Sequence, residues 1–143
     1  MTIKRSPAEQ AIERFAQEVV IRSIEDTVFE MERDLNSYFN DVNNSVLSSL
    51  LANKSDLEKM KIISSLAAEL ALATFFSNLD LNPNFEIKIE GEEDEWYDLA
   101  DAYEIPLICS FDEDGWISQY SQLPSYLNQV DKQRENTNKP QGA

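Results

Sequence analysis

The chain has 143 residues, of which 12 are basic and 27 acidic, a formal charge of −15, with no histidine, one cysteine and three glycines. This is the length of one domain, which buries roughly 70% of its unfolded surface, and its supply of large apolar residues excludes disorder for most of the chain. Without histidine there is no Ser-His-Asp or Cys-His catalysis and the commonest zinc ligand is missing, while glycines at 91, 115 and 142 cannot form a phosphate-cradling loop.

Ser6-Pro7-Ala8-Glu9 supplies an N-cap, a proline where its missing N–H costs nothing, and a glutamate that closes a capping box, so a helix starts here. Ile12, Phe15, Val19, Ile24, Val28, Met31, Leu35 and Phe39 recur at steps of three to five and predict the buried face of a long helix reaching about residue 40. Charged residues from Glu13 to Arg33 occupy its other sides. The polar run 40–45 predicts a turn, and Val46 to Leu51 a short second helix.

Ser55-Asp56-Leu57-Glu58 repeats the capping box and opens a third helix. Leu57, Met60, Ile63, Leu66, Leu70, Ala73 and Leu79 form its face, widened by Ile62, Ala67, Ala71, Phe75 and Phe76. A helix apolar nearly all round must be covered on several sides and is the expected central element. Its most apolar stretch, 62–76, is short for a bilayer and carries Glu69, so it is expected to be buried in protein.

From Phe85 the period becomes two, and Phe85, Ile87 and Ile89 predict a half-buried strand. Between Asp94 and Glu104 the helical period returns, with Trp96, Leu99, Ala100 and Tyr103 on the core side and Asp94, Asp98 and Asp101 opposite. Residues 107–111 and 116–120, flanking Asp112-Glu113-Asp114-Gly115, predict a β-hairpin whose Asp-Gly pair takes positive φ. A last short helix is expected at 125–130 and a disordered tail over 131–143. The expected fold is α+β: a long, a short and a buried helix packed with a small β-α-β-β part. It forms one domain over 1–130, helical to residue 80 and acidic from 81.

Charge is concentrated in this second half. Residues 80–114 hold 13 acids against Lys88 alone, a local −12, whereas 1–79 carry −4 and 115–143 carry +1. Such a surface repels phosphate backbones and anionic membrane, so direct nucleic-acid or lipid binding is disfavoured and a cationic partner favoured. The lone Cys109 forms no intrachain disulfide and falls in an apolar run as a buried thiol. No apolar leader follows Lys4 and Arg5, and the cytoplasm is the expected compartment.

No catalytic residue, metal or other cofactor is expected. Asp112, Asp114 and Gly115 match the middle of a calcium loop, but its anchoring positions fall on Ser110 and Ser121. The run Glu90 to Glu95 with Asp98 and Asp101 gathers like charges at helical spacing, where they repel, so folding alone gives little reason for them. A solvated face and a recognition surface both account for such a cluster, and Tyr97 borders it on the polar side.

The leading expectation is a non-enzymatic acidic protein that occludes a basic protein surface through Glu92, Glu93, Asp94, Glu95, Tyr97, Asp98, Asp101, Asp112, Glu113 and Asp114. An immunity protein acts so on a nuclease toxin, and a DNA mimic on a nucleic-acid enzyme. The alternative is a structural or assembly module whose amphipathic helices make homo-oligomer or partner contacts. A carboxylate-only metal enzyme ranks third.

Overall fold

A computed structural model describes residues 4–41, 45–103 and 106–138. Helix α1 (Pro7–Phe15), a π-helical segment (Ala16–Ile21) and α2 (Arg22–Asn40) follow one another without a break. The capping box forms in both directions: Glu9 N–H donates to Ser6 Oγ at 3.2 Å, and Ser6 N–H donates to Glu9 Oε2 at 2.8 Å. The widened π turn sits at the step of five between Val19 and Ile24, where the apolar stripe gains a residue. Residues 42–44 of the expected turn lie outside the described residues.

After the short α3 (Ser48–Leu51), α4 (Asp56–Leu81) starts on a second two-way capping box between Ser55 and Glu58. It runs back along α2, with Lys59 over the Tyr38 ring at one end and Asn78 bonded to Ser23 near the other. Ile62, Leu66, Leu70 and Ala73 on α4 meet Met31, Leu47, Leu50, Leu51, Phe111, Leu127 and Val130 in the main core. Length and a hydropathy of 1.5 would suit α4 to a bilayer. Here one side of it forms the domain core, where buried Glu69 accepts bonds from Ser125 and Tyr126.

The buried face of the long helix is only partly the expected one: Val19 and Met31 are buried and Phe15 and Leu35 half-buried, but the other four positions are not. Ile12, Ile24, Val28 and Phe39 are 69%, 54%, 54% and 75% exposed, and the inward positions are Val19, Ser23, Thr27, Met31 and Asp34. The inward hydroxyls are satisfied locally, Ser23 donating to the Val19 carbonyl and Thr27 to the Ser23 carbonyl at 2.7 Å. A polar seam can therefore face α4 without loss.

The α+β class holds, with a mostly helical chain and one small antiparallel sheet, but the β-α-β-β order does not. Strand β1 (Lys88–Glu90) pairs with β2 (Trp96–Asp98), and helix α5 (Leu99–Tyr103) begins five residues later than the period suggested. The expected hairpin over 107–120 is a 3₁₀ helix (Leu107–Phe111) followed by α6 (Trp116–Tyr120). Asp80 explains the first: its carboxylate accepts the Leu107 and Ile108 N–H groups at 2.9 and 3.0 Å, capping a helical turn. Gly115 sits at φ −82°, so it is required by space and not by positive φ; a Cβ there would lie 2.1 Å from the Ser110 carbonyl oxygen.

Helix α7 (Tyr126–Asn138) continues beyond the expected end at 130. Arg134 holds it to α2 by ion pairs with Glu30 (2.6 Å) and Asp34, and Lys132 holds it to Glu113 at 2.9 Å. Residues 139–143 of the expected tail lie outside the described residues.

Candidate functional site

The acidic segment is carried by the β1–β2 hairpin. Lys88 pairs with Asp98, Ile89 with Tyr97 and Glu90 with Trp96, and the Leu99 N–H extends the ladder to the Ile87 carbonyl at 2.8 Å. Phe85, Ile87 and Leu99 anchor its root on a second small core of Val19, Leu79 and Leu107. Phe85 also meets Phe15 edge to face at 5.3 Å.

Beyond that root both faces of the ribbon reach solvent. Ile89, Trp96 and Tyr97 are 48%, 62% and 47% exposed. A two-stranded ribbon is marginal by itself, and a tryptophan left 62% exposed gives up most of the burial energy it could add.

The turn is built from acids. Gly91 N–H donates to the Glu95 carbonyl at 2.7 Å, and between them Glu93 and Asp94 take left-handed φ of 65° and 60°. Such backbone costs a non-glycine residue ~1 kcal/mol, and strain of this kind is concentrated at functional sites. Tyr97 braces the turn: its ring lies so close over Gly91 that a Cβ there would be 2.6 Å from Cε2, and its hydroxyl donates to the Glu95 carboxylate. That bond raises the Tyr97 pKa. Glu92, Glu93, Asp94 and Glu95 are all exposed.

Asp94, Asp98 and Asp101 do not share a helix face as expected. Asp94 is in the turn, whereas Asp98 ends β2 and caps α5 by accepting the Asp101 N–H at 3.1 Å. Trp96, expected in the core, stands on the exposed ribbon because residues 96–98 pair with β1 instead of coiling. The side chain of Tyr103 lies outside what the structure describes.

At the hairpin root a cleft of about 250 Å³ is lined by Asp80, Glu86, Asp98 and Asp101 with apolar walls that include Phe85, Ile87 and Leu107. Asp80 and Glu86 were not singled out in the sequence. They are separated from Asp98 by more than ten positions, and only hairpin closure brings them to one cleft. The place of Trp96 had no clear local signal, since Glu95-Trp96-Tyr97-Asp98 does not alternate as Ile87 to Glu90 does.

Asp112, Glu113 and Asp114 form a separate exposed turn before α6. Glu113 is paired with Lys132, which lowers the Glu113 pKa and raises that of Lys132, so part of this group's charge is met internally. The half-buried Cys109 thiol is pushed up by desolvation and by Asp112 and Asp80, the opposite of an activated nucleophile. Among the described residues no group of three or more Cys, Asp or Glu side chains is placed to hold a metal ion.

In class the chain is a mainly helical α+β domain presenting an acidic, aromatic-bordered hairpin. No protein-family model matches it, and no curated protein or solved structure is significantly similar to it.

Proposed function

We propose that the chain is a cytoplasmic, non-enzymatic binding protein whose hairpin and root cleft occlude a basic surface of a protein partner. A nuclease or another nucleic-acid-binding protein is the class with complementary charge. The observation that carries the reading is the uncovered ribbon, which offers Trp96 and Tyr97 to solvent beside four turn carboxylates on a backbone strained to present them. Aromatic anchors within a polar rim are a common composition of an energetic interface centre. The cleft adds a place where a partner's arginine or lysine meets Glu86 and Asp101.

The test is capture from the native host's lysate at low ionic strength, comparing the wild type with the Glu92→Lys, Glu93→Lys, Asp94→Lys, Glu95→Lys quadruple variant and with Trp96→Ala. A basic partner retained by the wild type, released as salt rises and lost in both variants supports the proposal. Retention by the charge-reversed chain, or binding indifferent to salt, refutes it.

A further inference from the structure

A second surface is left open by the fold. The outer side of the helical pair is a groove of about 540 Å³ between α2 and α4, walled by Val28, Leu35, Phe39, Ile63 and Ala67. Of its walls Val28 and Phe39 are 54% and 75% exposed, and on the same two helices Ile21, Ile24, Leu57 and Met60 are between 47% and 66% exposed. Half of the stripe that the sequence would bury, Ile12, Ile24, Val28 and Phe39, is thus uncovered, because Ser23 and Thr27 face α4 between the buried Val19 and Met31.

We propose that this face is the interface between two copies of the chain, with the two helical pairs closing into a four-helix arrangement. Three observations favour a second copy over a charged partner. From residue 62 to 79 α4 carries one charge, Glu69, and that side chain is buried, so the α4 wall is uncharged and Glu32 of α2 is the one charged residue lining the groove. None of the acids of residues 80–114 lines the groove, so the segments of strongest mutual repulsion lie outside the contact. The six named side chains leave on the order of 600 Å² of apolar surface per copy before the groove walls are counted, close to the ~800 Å² per partner of a stable interface. A pair of antiparallel helices with an apolar seam is also self-complementary about a two-fold axis.

Sedimentation of the full chain tests this independently of the basic-partner reading. A mass of twice 16.4 kDa is expected at micromolar concentration. Because each copy carries −15, dimerisation should tighten as salt rises, the reverse of binding to a basic partner. Val28→Lys and Phe39→Glu, at exposed positions, should each weaken the dimer by about tenfold or more with the far-ultraviolet circular dichroism unchanged. Charge reversal at Glu92 to Glu95 should leave it intact. Without any variant, the wild-type Tm should rise with protein concentration. A monomer at all salt and protein concentrations, a concentration-independent Tm, or a dimer undiminished in both variants overturns the proposal.

Discussion

Asn78 donates from its side-chain amide to Ser23 Oγ at 2.9 Å, joining α4 to α2 across 55 positions of sequence. Both residues are buried, and Ser23 in turn donates to the Val19 carbonyl, so the two helices share a satisfied polar seam. Asn78→Ala leaves the Ser23 oxygen without this donor and opens a small void. It should cost about 1–3 kcal/mol in denaturant unfolding, whereas the Ser23→Ala and Asn78→Leu double variant should cost less than the sum of its singles.

Glu69 makes a second long-range polar link. Its carboxylate accepts from Ser125 Oγ at 2.7 Å and from Tyr126 N–H at 2.9 Å, closing the start of α7 from inside the core. Glu69→Ala removes both acceptors and should cost about 2–4 kcal/mol, with the loss centred on α7 in hydrogen exchange. Glu69→Gln keeps one carbonyl acceptor and should cost less.

The hairpin turn is not optimised for stability. Replacing Glu93 by Asn and Asp94 by Gly places residues that tolerate left-handed φ where the backbone already adopts it. A gain of about 1 kcal/mol is expected from thermal unfolding. In the proposed function the same variant should bind the partner less tightly, since two of the four turn carboxylates are gone.

Stability should fall in acid with an assignable part. Glu13, Glu58 and Glu113 are held below their ordinary value of 4.5, first by the hydrogen bonds from Arg5, from the Ser55 backbone and from Lys132 respectively. A carboxyl whose pKa is lower folded than unfolded contributes stability that is present above 4.5 and lost as pH falls through the folded value. Asp131 has the opposite sign: desolvation raises it, so its contribution is present below the unfolded value and lost as pH rises through the folded one. Thermal melts from neutral pH downward should show a shallower acid loss for Glu113→Gln than for wild type. Comparing the two removes the common effect of relieving the −15 charge.

The sequence shows what depends on near neighbours. Ser6 with Glu9 and Ser55 with Glu58 fix two helix starts because each box is closed within three residues, and both form in the structure. The alternation from Phe85 predicts a half-buried strand, and a strand forms there but only over the exposed Lys88–Glu90, with Phe85 and Ile87 packed before it; the location of the negative charge follows from composition. Where periodicity alone was the guide, pairing overrode it: residues 96–98 satisfy a helical pattern but close a ladder with 88–90.

The amino-acid order by itself determined the capped helices, the acidic segment and the exclusion of histidine chemistry, since these rest on composition and contacts a few residues long. The tertiary structure decided which side of the long helix is buried, because that choice turns on Asn78 meeting Ser23. It also decided that 107–111 coils instead of extending, through a carboxylate at Asp80, and that α7 runs past residue 130, through Arg134 reaching Glu30 and Asp34 about a hundred positions away. Each is a bond between distant parts of the chain, and no local pattern encodes it.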